Sequence, residues 1–166
     1  MATGTVILPV QGAKIGGSYI LAGAQIEGGQ ATWKALFDAS ATESILFQFR
    51  VPANYSSSPV LKIQYSMASA TSGGVDFECE VMCVTTGDAQ DTDAGSFDTV
   101  NEVTGGDTVP GTAGYMKEVS ITLTNADSIA AGDLILLRIN RDHDDSDDTA
   151  TGDAEILAVS FEYTTS

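Results

Sequence analysis

The sequence predicts an all-β domain, an antiparallel sandwich of two sheets with about eight main strands. Three observations predict it. Apolar and polar residues alternate at period two in several separate runs. Stretches rich in Gly, Pro and Ser punctuate those runs at short intervals. No stretch carries helical periodicity with caps at its ends.

Residues 1–32 differ from the rest of the chain. Val6-Ile7-Leu8-Pro9-Val10 gives way to a Gly- and Ala-rich stretch from Gly12 to Gly29, where strand-like pieces such as Ser18 to Leu21 are short and broken by Gly. Gly weakens a strand interior and marks bends or close backbone approach. Two readings stand: an ordinary first strand of the sandwich, or an extended N-terminal arm that meets a neighbouring subunit. The arm reading divides the chain into an arm over 1–32 and a sandwich domain over 33–166.

From Trp33 onward the strands recur. Trp33 to Phe37 is the first. Ser44 to Val51 sets Ile45, Phe47, Phe49 and Val51 on one face, with Leu46, Gln48 and Arg50 on the other. Pro52 to Pro59 reads as a loop. Val60 to Ser69 points Leu61, Ile63, Tyr65 and Met67 inward, and Ser72-Gly73-Gly74 turns the chain. Val75 to Thr85 buries Val75, Phe77, Cys79, Val81 and Cys83, leaving Asp76, Glu78 and Glu80 to water. Gly87 to Gly95 is a polar loop, Ser96 to Val103 a weaker strand, and Thr104 to Gly114 a Gly- and Thr-rich connection. Tyr115 to Thr124 alternates again, with Val119, Ile121 and Leu123 inward. Asn125 to Gly132 connects, with one helical turn around Ser128 to Ala131. Gly132 to Arg141 and Ala154 to Tyr163 close the chain as two adjacent antiparallel strands around an acidic loop. Greek-key immunoglobulin-like sandwiches and jelly rolls both fit this pattern.

Composition bounds the function. A chain of 166 residues, 43% hydrophobic, makes one domain with an ordinary core. The formal net charge of -16, from 23 acidic and 7 basic residues, argues against nucleic acid and against an anionic membrane surface. It favours solubility, and any assembly must overcome self-repulsion through apolar contacts, cations or a basic partner. Met1-Ala2-Thr3-Gly4 does not open a signal peptide, and no apolar run approaches a membrane span, so the expectation is a protein made and used without export.

Candidate chemistry is sparse. His143 is the one histidine and lies between Asp142 and Asp144 in the acidic loop, a poor setting for a Ser-His-Asp site. Asp142, Asp144, Ser146 and Asp153 have EF-hand spacing, but Asp147 replaces the required Gly and Asp153 the required Glu. A looser cation site there, joined by Asp88, Asp91 and Asp93, is the alternative to a solvated loop. Cys79 and Cys83 are too far apart along one strand to pair, and read as small core residues. Gly12-Ala13-Lys14-Ile15-Gly16-Gly17 lacks the ending of a phosphate loop, and no cofactor is expected. No two carboxylates stand out as a catalytic pair, and the chain is read as no enzyme. Trp33 reads as core or interface rather than a sugar platform. Arg138 calls for an acid on a neighbouring strand or an adjacent subunit.

The order of several segments resembles a family. Gly132-Asp133, the aliphatics, Arg138, Arg141-Asp142, the acidic loop, Gly152-Asp153-Ala154 and Phe161-Glu162-Tyr163 resemble the closing hairpin of jelly-roll structural proteins of tailed bacteriophages. Trp33–Phe37, Phe49–Tyr55, Leu61–Met67 and Val75–Thr85 extend the resemblance. It implies a jelly roll, a homotrimer and a capsid decoration protein that binds the major capsid protein at the virion surface after synthesis in the host cytoplasm. Val6, Ile7, Leu8 and Val10 would then be capsid or subunit contacts. The alternative is a carbohydrate- or receptor-binding module of a fibre or tail appendage, with Tyr55 and Tyr115 as the aromatics it presents.

Overall fold

The structure, a computed structural model, describes residues 2–16, 20–25 and 31–166, and the side chains of 2–14 and 32–166. The remaining parts of the expected arm, including Ser18 and Tyr19 of the Ser18 to Leu21 piece, lie outside the described residues. The strands are β1 Thr3–Leu8, β2 Lys14–Gly16, β3 Ile20–Gln25, β4 Ala31–Phe37, β5 Glu43–Arg50, β6 Tyr55–Met67, β7 Gly74–Val75, β8 Phe77–Val84, β9 Asn101–Glu102, β10 Asp107–Thr108, β11 Lys117–Thr122, β12 Leu134–Arg141 and β13 Ala154–Thr165. They form a two-sheet antiparallel jelly-roll sandwich. The first sheet runs β11-β6-β13-β4-β3, with β1 also on β13; the second runs β2-β5-β12-β8-β9; β7 and β10 make a small ribbon.

The alternation decides the faces. Leu61, Ile63 and Tyr65 of β6 and Ile156 and Phe161 of β13 are fully buried against Ile45, Cys79, Val81, Ile135, Leu137 and Ile139 of the second sheet. An aromatic group of Phe49, Tyr55, Phe161 and Tyr163 fills one end of this core. Burial of such side chains contributes roughly 1.5–3 kcal/mol each, which is what holds the sheets together.

Several expectations need correction. The last two strands are not neighbours. β12 lies between β5 and β8 in the second sheet, whereas β13 lies between β6 and β4 in the first. The acidic loop crosses from one sheet to the other, so its length serves to span the sandwich. Pro52 to Pro59 is not all loop. β6 begins at Tyr55, and register shifts against Thr164 and Thr165 accommodate Pro59 and Ser58, whose φ is 55°. Ser96 to Val103 yields only β9. Residue 98 reaches the second sheet through one bond, Asp98 N–H to the Val81 carbonyl at 2.8 Å. Asp76 is buried rather than solvated.

β1 is a strand of the sandwich. Thr3 to Leu8 pairs with Thr164 to Val159 where β4 has left β13. Leu8 and Val10 are in the core, Val6 packs against it, and Gly4 lies so close under the Tyr163 ring that a Cβ there would fall 2.3 Å from it.

Candidate functional site

The outer face of the first sheet is built from the residues that alternate with its core. Cross-strand register sets Ser120, Lys62, Ser160 and Ile7 in one row and Glu118, Gln64 and Ala158 in the next. Between Ile156 and Ala158 the pairing of β13 with β6 shifts by one residue, a bulge that bends the strand at this place. Beside it lies a shallow depression of about 110 Å³, lined by Ile7, Lys62, Gln64, Glu118, Ala158 and Ser160 with Val159.

Its polar side chains hold one another. Lys62 Nζ is 3.2 Å from Glu118 Oε1, and Gln64 Nε2 donates to Glu118 Oε2 at 3.1 Å. The Gln64 hydrogen bond, then Lys62, holds the Glu118 carboxyl below its ordinary value. Ile7, 68% exposed, supplies an apolar surface beside this network. Farther across the same face Lys34 pairs with Glu155, which also accepts from Ser66 Oγ at 2.9 Å. The arrangement offers fixed donors and acceptors next to an aliphatic side chain, which suits a ligand carrying hydroxyls and C–H surface together.

Residues singled out from the sequence sit elsewhere, Ile7 excepted. Leu8 and Val10 are occupied in the core and Val6 against it. His143 contacts Thr42 Oγ1 at 3.2 Å through Nδ1, and its Nε2 is 3.3 Å from Asp144. Several of the loop acids accept from the chain itself. Asp142 accepts from the Asp144 N–H and Asp145 from the Asp147 N–H, and in the other acidic loop Asp91 accepts from the Asp93 N–H. Among the described residues no three His, Cys, Asp or Glu side chains are placed to hold a metal ion. Cys79 and Cys83 are buried free thiols, and burial pushes Cys83 up to about 12. Arg138 pairs with Glu80 on the neighbouring strand at 2.5 Å and lies 4.4 Å from the Phe97 ring. Tyr55 is buried in the core, whereas Tyr115 is exposed. Trp33, expected in the core or at an interface, is not in the core: it is 47% exposed on β4, opposite Gly23 of β3.

The sequence reading missed Lys62, Gln64, Glu118 and Ser160. Each is an ordinary polar residue in an alternating strand, and only the register of β11, β6, β13 and β1 brings them together.

No protein-family model and no curated protein matches the chain. Solved structures do match in fold. A family 35 carbohydrate binding module from Clostridium thermocellum superposes with a TM-score of 0.53 at 14% identity, over 95% of this chain and 97% of that one. The CBM22-1 xylan-binding domain of a Paenibacillus barcinonensis protein gives 0.50 at 13%, over 95% and 89%. A Clostridium thermocellum endo-1,4-beta-D-xylanase with CBM22-1 and GH10 modules gives 0.50 at 15%, over 94% of this chain and 28% of that one. The matched folds are those of binding modules, one of them within an enzyme. They correct the resemblance to phage jelly rolls, and with it the reading as a capsid decoration protein of the virion. The closing hairpin that led the resemblance is itself no hairpin. The homotrimer and the major capsid protein rested on that resemblance, and a likeness of fold speaks to neither.

Proposed function

We propose that the chain is a carbohydrate-binding module, without catalytic role, that takes a neutral saccharide on the outer face of the first sheet. The observation that carries this reading is the depression where exposed Ile7 adjoins the Lys62–Glu118–Gln64 network. A sugar ring needs hydrogen-bonding groups in fixed positions and an apolar contact for its C–H face, and a preformed site loses little entropy on binding. The likeness of fold to carbohydrate-binding modules supports the same reading. The net charge of -16 weighs against acidic polysaccharides.

Affinity electrophoresis through gels containing soluble neutral polysaccharides, xylan and galactan among them, tests the reading. Retardation by at least one is expected, relieved in Lys62→Ala and in Ile7→Asp. Migration unaffected by every gel, with the variants indistinguishable from the parent, would reject it.

A further inference from the structure

The buried carboxyl of Asp76 is used by no part of the proposed binding face. Asp76 is 2% exposed, and its Oδ2 has no hydrogen-bond partner. An ionised carboxylate in such a place leaves a buried charge without compensation, which is costly. The backbone around it holds the acidic loop to the sheet. Its carbonyl accepts from the Asp142 N–H at 3.0 Å, and its N–H donates to Asp148 Oδ2 at 2.9 Å. Thr149 and Ala150 donate to the Gly74 carbonyl two residues before it, at 3.0 and 2.8 Å.

The charged groups about it are nearly all negative. β8 brings Glu78, β9 brings Glu102, and the loop brings Asp142 and Asp145. Asp148 of the loop and Arg141 of β12 are committed to each other through Oδ1–Nη2 at 2.7 Å and Oδ2–Nε at 2.8 Å. Arg141 spends its remaining donors on the carbonyls of Phe37, Ala150 and Gly152. Asp107 of β10, across from Val75, is tied to Lys117 and Tyr65.

We infer that Asp76 is a proton-operated latch: its neutral carboxyl lets the backbone bonds of Asp76 and Gly74 hold the 142–153 loop to the second sheet and the β7–β10 ribbon, and its ionisation among Glu78, Glu102, Asp142 and Asp145 loosens them. Burial, and after it the four neighbouring carboxylates, pushes the Asp76 carboxyl up to about 7, and burial raises Glu78 as well. The closed loop keeps a proton that the open loop releases from the ordinary value of 3.8 upward. Raising the pH between those two values therefore favours the open form, and the effect levels off above about 7. This inference does not rest on saccharide binding.

The test is a carbon-13 carboxyl titration of the intact protein, with amide hydrogen exchange followed across the same range of pH. The Asp76 resonance should titrate near 7. Protection of the Asp142, Thr149 and Ala150 amides, corrected for intrinsic exchange, should fall by up to about tenfold per pH unit through the window. In Asp76→Asn the fall should vanish. A wild-type Asp76 that titrates in the usual carboxylate range overturns the latch, and so does loop protection that ignores pH. The wild-type measurements decide even if the variant fails to fold.

Discussion

Two regions of this molecule handle charge in opposite ways. On the outer face of the first sheet, Lys62 and Lys34 each sit beside a carboxylate of a neighbouring strand, at the surface, with Ile7 open next to one of the pairs. At the loop end, carboxylates crowd together and one cation, Arg141, is fully buried against Asp148. The first arrangement leaves polar groups in fixed positions facing solvent. The second encloses one ion pair, Arg141 with Asp148, inside the fold. In a chain so acidic, Asp148 of the 142–153 loop is therefore architecture, and the face suited to a ligand is the one where charges balance.

That contrast can be broken by experiment. Removing Arg141 should do the most damage, because it strands the buried Asp148 and leaves three carbonyls without their donor. Arg141→Ala should cost about 3–5 kcal/mol in denaturant unfolding. A loss below 1 kcal/mol would put the clamp on a par with a surface pair.

Next in size is the response to pH. Because the Asp76 carboxyl is raised to about 7 in the fold, its stabilisation is complete at low pH and is lost as pH climbs toward neutrality, by up to a few kcal/mol. Asp38, Asp98 and Glu118, held below their ordinary values by hydrogen bonds, act in the other direction, but at exposed positions where the effect is screened. Calorimetry should find the melting temperature higher at pH 5 than at pH 8, and a rise instead would contradict the reading of Asp76.

Gly4→Ala should cost about 1–3 kcal/mol, since the added carbon meets the Tyr163 ring on the inner face of β1. Unchanged stability would return β1 to the status of a loosely attached arm. Smallest is Lys62→Ala, expected to change stability by less than about 1 kcal/mol, because the pair it breaks is partly exposed.

Much of the fold was legible in the sequence, and the reasons are local. Ser44 to Val51 and Val60 to Ser69 alternate with few breaks, Leu46 and Val60 among them, so their buried faces follow from period two, and Leu61, Ile63, Tyr65 and Met67 are all fully buried. The closing pair of strands was misjudged because two apolar runs around a polar loop look the same whether the loop turns within one sheet or crosses between two. What distinguishes the cases is Arg141, whose partners Phe37, Asp148, Ala150 and Gly152 are set by tertiary structure. The binding face was illegible for a similar reason. Ile7 drew notice as part of an apolar run, yet its neighbours there come from three other strands, and register is not written in any one of them. Asp76 looks solvated in the sequence because it keeps step with Glu78 and Glu80, and the break between β7 and β8 at that residue leaves no mark in the pattern.

The most direct test of the central claim is titration calorimetry with the oligosaccharide of whichever neutral polysaccharide retards the protein. Parent and Lys62→Ala would be compared at matched, fully folded conditions. The account predicts saturable binding by the parent, weakened about tenfold or more in the variant through loss of a charge-assisted hydrogen bond at the depression. Equal affinity in both proteins, or no heat with any neutral saccharide, would contradict it.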